Sequence, residues 1–100
     1  MENQEIAILW SSDAAKSLES IFDYYFDLSP QSAERIRKDI LQKVGTLRFV
    51  KQYQIDEINP DYRRITIRHY KVVYKVEMQK VFILNIFDTR QDPAKSKIKR

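Results

Sequence analysis

The chain has no cysteine, and only one histidine and one glycine. Without cysteine there is no disulfide, no thiolate nucleophile and no cysteine metal site, and a single histidine cannot build a histidine-based one. No metal and no cofactor is therefore expected. No run approaches the roughly 20 consecutive apolar residues that a membrane-spanning helix needs. The start of the chain, with Glu2 and Glu5, lacks the basic-then-apolar layout of a signal peptide. A cytoplasmic location with no membrane partner follows as the expectation.

What is present fits one domain. One hundred residues, 43% hydrophobic and 32% charged, can bury a single core that is marginally stable alone, and are too apolar for a disordered chain. Eighteen Lys and Arg against fourteen Asp and Glu give a net charge of +4 and favour an acidic partner, nucleic acid or an acidic protein segment. The excess is uneven. Acidic residues are scattered up to Asp61, while the part after it is dominated by basic residues from Arg63 to Arg100.

The stretch from Tyr62 to Arg90 organises the chain. Ile65 and Ile67 alternate with Arg64, Thr66 and Arg68, and Tyr70, Val72, Tyr74 and Val76 alternate with Lys71, Val73, Lys75 and Glu77. This period of two predicts two strands, each with one dry and one wet face. If Arg68 and His69 are the turn, Ile67 lies opposite Tyr70 and Ile65 opposite Val72, and Arg64, Lys71 and Lys75 share the wet face. The turn lacks the Asn-Gly or Asp-Gly pair that tight hairpins prefer. A third run, Lys80 to Asp88, is apolar on both faces, with Phe82, Leu84 and Ile86 alternating with Val81, Ile83 and Phe87. One set therefore faces outward beside the basic residues, either as a partner's binding surface or under the chain's own loop or tail.

Before the meander, Ile6, Ile8 and Trp10 predict a short first strand. Ser11 or Ser12 caps a helix carrying Leu18, Ile21, Phe22 and Tyr25 on one stripe, with Asp13 in its first turn. Ser29-Pro30 starts a second helix with Ala33, Ile36, Ile40, Val44 and Leu47 inward, and Gly45 loosens or ends it. The two make an antiparallel helical hairpin. Residues Phe49 to Asp61 have no clear period and read as a loop. The expected class is α+β: an N-terminal strand, a helical hairpin and a three-stranded antiparallel meander packed on the helices. Residues 1–90 form the single domain, and 91–100 a basic, loose tail.

Several short motifs in this order resemble the RelE/ParE superfamily of bacterial toxins. They are the Trp10-Ser11 pair, Ala14 to Leu18, the Ser29-Pro30 restart, Tyr62-Arg63-Arg64-Ile65, Tyr70-Lys71-Val72-Val73-Tyr74, and the terminal Arg90 of the last strand. The resemblance implies a toxin of a type II toxin–antitoxin system, held inactive by a cognate antitoxin. The RelE-like branch cleaves mRNA on the translating ribosome without a metal; the ParE-like branch poisons DNA gyrase. An inactive or purely binding member of the fold is a third possibility.

For the nuclease branch, the resemblance puts the basic cluster at Arg64, Lys71 and Arg90 and, in second place, an acidic base at Glu57; His69 is a further acid–base candidate because histidine titrates near neutrality. Fixed positive charge stabilises a phosphate in flight. A solvated strand face is the bland alternative, and for His69 a surface position in the turn. The end of the last strand, Phe87-Asp88-Thr89-Arg90, lacks the His or Tyr that several nucleases place there, and Asp88 is a poor general acid near neutrality unless burial raises its pKa. The reading is therefore ParE-like. Arg64, Arg68, Lys71, Lys75 and Arg90 are expected to contact the target, and Phe82, Leu84 and Ile86 the antitoxin.

Overall fold

The computed structural model describes residues 6–98. Glu2, Glu5, Lys99 and Arg100 lie outside the described residues. Strand β1 (Ala7–Trp10) leads into helices α1 (Ser12–Leu28) and α2 (Pro30–Val44), followed by β2 (Arg63–Ile67), β3 (Tyr70–Glu77) and β4 (Lys80–Asp88), and a 3-10 helix Pro93–Ser96. The four strands form one sheet in the order β1-β4-β3-β2, with β1 parallel to β4 and the other pairs antiparallel. This is the expected α+β arrangement.

The helix ends follow from their capping residues. The Ser11 side chain accepts from Ala14 N at 3.0 Å, and Asp13 stands in the first turn, where the helix dipole favours a carboxylate. Ser29 does the same for α2, accepting from Ser32 N, while Pro30 fills the first position, where its missing N–H is not needed. Gly45 closes α2 at an ordinary helical φ of −65°, so it ends the helix without a left-handed residue.

Both helices pack on one face of the sheet. Ile36, Ile40 and Val44 of α2 and Ala14 of α1 meet Ile65, Ile67, Tyr70, Val72, Tyr74, Val81, Ile83 and Ile86 in one cluster. The β2–β3 register is the expected one, Ile67 opposite Tyr70 and Ile65 opposite Val72. In place of glycine chemistry, Arg68 itself takes the left-handed φ of 55°, and its guanidinium reaches Asp39 of α2 at 2.7 Å.

In β4 strict alternation fails. Val73 pairs with Asn85 but Tyr74 with Ile83, so Leu84 is an extra residue and the side chains after it change faces. Ile86 consequently joins Val81 and Ile83 in the core, only 5% exposed. The expectation that Phe82, Leu84 and Ile86 share an outward face is thereby corrected: Phe82 and Leu84 are half-buried, and Ile86 is not available to a partner.

The second face of the sheet is covered on its β2–β3 side by the chain itself. Val73 and Lys71, on the face away from the helices, are both buried. Above them lies the loop after α2, whose Ile55 makes a bridge to Arg63. The tail joins it: Asn59 Nδ2 donates to the Ser96 carbonyl at 2.8 Å, and Ile98 N donates to Asn59 Oδ1 at 2.8 Å. Residues 93–98, expected to hang free, are thus hydrogen-bonded to the loop, with Ser96 buried. Towards β1 the same face stays more open, with Leu9 45% exposed beside its register partner Phe82.

Candidate functional site

The basic residues of the meander divide into three environments. On the second face, Lys71 is only 3% exposed, and its Nζ donates to Asp56 Oδ1 at 2.7 Å, where Asp56 is fully buried. The other carboxylate oxygen of Asp56 accepts from Asn59 N at 2.8 Å and Asn59 Nδ2 at 2.9 Å. Burial pushes this carboxyl up, but the hydrogen bonds from Lys71 and Asn59 outweigh it, and its pKa lies below the usual carboxylate value. Lys71 was expected on a wet face. It faces the expected side, but the loop and its carboxylate have closed over it.

Arg64 rims this buried pair. Its Nε donates to Glu57 Oε2 at 3.1 Å, its Nη1 to Thr66 Oγ1 at 2.8 Å and its Nη2 to Gln54 Oε1 at 3.1 Å, and Asp56 Oδ1 is 3.9 Å away. Glu57, a candidate base, is therefore paired with Arg64 at the surface. Lys75, farther along β3, lies over the Phe82 ring at 5.3 Å and 3.6 Å from Glu77.

The second environment lies just past the Tyr70 end of β3, where Tyr70 pairs with Asp88. Arg90 folds back on Asp88, with Nη2 to Oδ2 at 3.1 Å and the backbone N to Oδ1 at 2.9 Å. Hydrogen bonds from Arg90 hold the Asp88 carboxyl below the usual range, which removes it as a general acid near neutrality, and the same contact raises the Arg90 pKa. Close by, His69 Nε2 is 3.4 Å from the Tyr25 hydroxyl, which also accepts from Tyr70 OH at 3.5 Å. Burial and the Tyr25 contact push the Tyr70 phenol well up, so it stays neutral. Tyr25 had been read only as a core position; its hydroxyl gave no signal because the sequence does not show that α1 passes over the β2–β3 turn.

Arg68 occupies the third environment, at the helix side, tied to Asp39 by Nε at 3.0 Å and Nη2 at 2.7 Å. Arg64, Lys71 and Arg90 thus do not make one cluster. Arg64 is level with Val73 on β3, whereas Asp88, before Arg90, is level with Tyr70. The residue that sequence reasoning missed is Asp56. Its signal was the spacing Asp56-x-x-Asn59 before Pro60, in which an aspartate side chain caps the turn it begins.

The family model described as the ParE toxin of type II toxin-antitoxin system, parDE, matches residues 8–93. The chain belongs to the ParE toxin family. A solved structure described as the chromosomal ParDE TA system from P. aeruginosa is similar at 26% identity and a TM-score of 0.73, covering 83% of this chain and 95% of that one. A search of curated proteins finds no match. The ParE match takes in the sheet, both helices and the loop with Asp56, and ends at Pro93, where the 3-10 helix begins.

As a ParE-family member the protein is a toxin of a type II toxin–antitoxin system, to which an antitoxin partner belongs. Among the described residues no helix is long and apolar enough to cross a membrane.

The buried carboxylate makes the loop sensitive to acid. A carboxyl whose folded pKa is depressed contributes stability that is complete above its unfolded value of about 3.9, and loses it as pH falls through the folded pKa. The thermal midpoint is expected to drop below about pH 4. Asp56→Asn should remove that part of the drop, measured as midpoints of parent and variant between acid and neutral pH. An unchanged acid dependence would assign it to other carboxylates.

Proposed function

We propose that this protein is a ParE-like toxin that poisons DNA gyrase and inhibits growth, in the cytoplasm, until a cognate antitoxin binds it. One observation besides family membership supports this branch: Asp88, at the end of β4, is held ionised by Arg90 and so does not serve as a proton donor for RNA cleavage. Lys71, locked to Asp56, is likewise withdrawn from a phosphate-stabilising role. Arg64, Arg68, Lys75 and Arg90 remain as the cationic groups for the target. Phe82 and Leu84, joined by exposed Leu9, remain as the apolar surface for the antitoxin.

The purified protein is expected to inhibit supercoiling by gyrase and to leave mRNA intact in a translating extract. Arg90→Ala, at an exposed side chain, should lower toxicity in cells while changing stability by no more than about 0.5 kcal/mol, whereas Arg64→Ala should lower toxicity at a larger cost in stability, since its half-buried guanidinium bonds Glu57, Thr66 and Gln54. Co-expression with an acidic protein encoded beside its gene should yield a complex with a raised thermal midpoint. Failure to inhibit gyrase would remove the target assignment, and nulls in both target assays would leave a binding protein.

One observation favours a second reading, the RelE-like nuclease. His69 lies within 3.4 Å of the Tyr25 hydroxyl near Arg90, which places an imidazole, the side chain most often used for proton transfer, beside a cation. Cleavage within the ribosomal A-site codon, lost in His69→Ala, is the result that would establish it.

A further inference from the structure

A groove of about 590 Å³ separates α1 from the last residues of β4 and the 3-10 helix, within the usual size range of small-molecule sites. Its lining joins several parts of the chain: Lys16, Tyr24 and Tyr25 from α1, Tyr70 from β3, Arg90 from the turn after β4, and Lys95 from the 3-10 helix. Three cations thus face one carboxylate, Asp88, which Arg90 already engages. The Arg90 side chain is 65% exposed, and a pair this open to water is worth little, so its guanidinium can turn to another anion at small cost. The Tyr25 and Tyr70 hydroxyls add hydrogen-bonding groups at the floor. Tyr24 stands at the rim, 64% exposed, with its ring set edge-on to Tyr25 at 5.1 Å. The acidic residues Asp13, Glu19, Asp23 and Asp27 of α1 are not among the lining groups.

From this combination we infer that the groove is a nucleotide site: Lys16, Lys95 and Arg90 take phosphate, and the open Tyr24 ring takes the flat face of a base. Cations interleaved with an exposed aromatic are what a nucleotide needs, since every base has a face to stack and every phosphate a charge to neutralise. An acidic peptide would use the cations but has no use for the bare ring, and the aliphatic floor offers it little, with Ile86 only 5% exposed. The nucleotide can come from two sources, a free nucleoside diphosphate or a single strand. The site requires neither gyrase nor cleavage.

Binding to the full chain is followed by fluorescence with two probes, N-methylanthraniloyl-GDP and a 5′-fluorescein octathymidylate, over a series of salt concentrations. Tyr24→Ala is expected to weaken binding roughly 5- to 150-fold, the range of one base–aromatic stack, and Tyr24→Phe to keep it. Lys16→Ala and Lys95→Ala should each weaken binding of the octamer and reduce its salt slope by about 0.7, one phosphate contact on a single strand. Binding of the diphosphate with the same Tyr24 and lysine dependence assigns a free nucleotide; binding of the octamer alone with that dependence assigns a strand. The inference is overturned if neither probe binds, or if these variants bind like the parent. It is equally overturned if Lys38→Ala on α2 weakens binding as much, or if octaglutamate displaces the probe as well as unlabelled octathymidylate does.

Discussion

Asp56→Ala is expected to destabilise the protein by about 3–5 kcal/mol, the usual result of leaving one partner of a buried ion pair alone. The substitution strands the Lys71 ammonium, 3% exposed, without its carboxylate, and it undoes the turn that Asn59 makes through both its backbone and side-chain N–H. Asn59 also holds Ser96 and Ile98, so the 3-10 helix should loosen together with the loop. A domain of this size is stable by roughly 5–15 kcal/mol, so the loss is a large fraction of the total. Urea unfolding of parent and variant gives the difference. Lys71→Ala should cost less, because Asp56 keeps Asn59 and has Arg64 at 3.9 Å. The double replacement of Asp56 by Leu and Lys71 by Met should recover only the part due to the stranded ammonium, since apolar residues of similar volume often match a buried pair but offer Asn59 no acceptor. A cost below about 1 kcal/mol for Asp56→Ala would mean that water reaches the pair in solution.

Ile83→Ala is expected to cost about 2–5 kcal/mol, as truncation of a fully buried isoleucine does. Ile83 is shielded completely and sits where three parts of the fold meet: it pairs with Trp10 of β1 and Tyr74 of β3, and its carbonyl accepts from Ser11 N at the start of α1. The neighbouring bulge at Leu84 limits how far β4 can shift to fill the space. Denaturant unfolding measures the loss. Leu84→Ala is the contrast, since Leu84 is half-buried and its loss should be smaller; equal costs would mean that the register at the bulge differs from the one described.

Much of this fold could be read from the residues because local chemistry and tertiary packing agree. Ser11, Asp13, Ser29 and Pro30 stand at helix starts for reasons confined to a few neighbouring positions. The alternation of Ile65, Ile67, Tyr70 and Val72 fixes a hairpin register that any slip would turn inside out. The bulge was not legible, because Leu84 and Asn85 are both acceptable in a regular strand and only the pairing with β3 shows the extra residue. Nor was the burial of Lys71. A lysine alternating with valines reads as wet, and the carboxylate that neutralises it lies fifteen positions earlier, in a segment without a period. The candidate site suffered from the same limit. Arg64, Lys71 and Arg90 were grouped by the resemblance, whereas their partners divide them: Arg64 and Lys71 gather at Asp56, and Arg90 turns to Asp88.

The parallel seat of β1 beside β4 has a consequence for how the molecule comes into being. The first strand is made well before its neighbour in the sheet, which spans residues 80–88, and Ser11 Oγ donates to the carbonyl of Leu84, 73 positions away. Until residues 80–88 have been synthesised, the helical hairpin has an apolar face and no complete sheet to rest on. Contacts so distant along the chain form slowly. A chain halted before Lys80 would lack the strand that joins β1 to β3, so the finished sheet, and every property that depends on it, waits for residues 80–88.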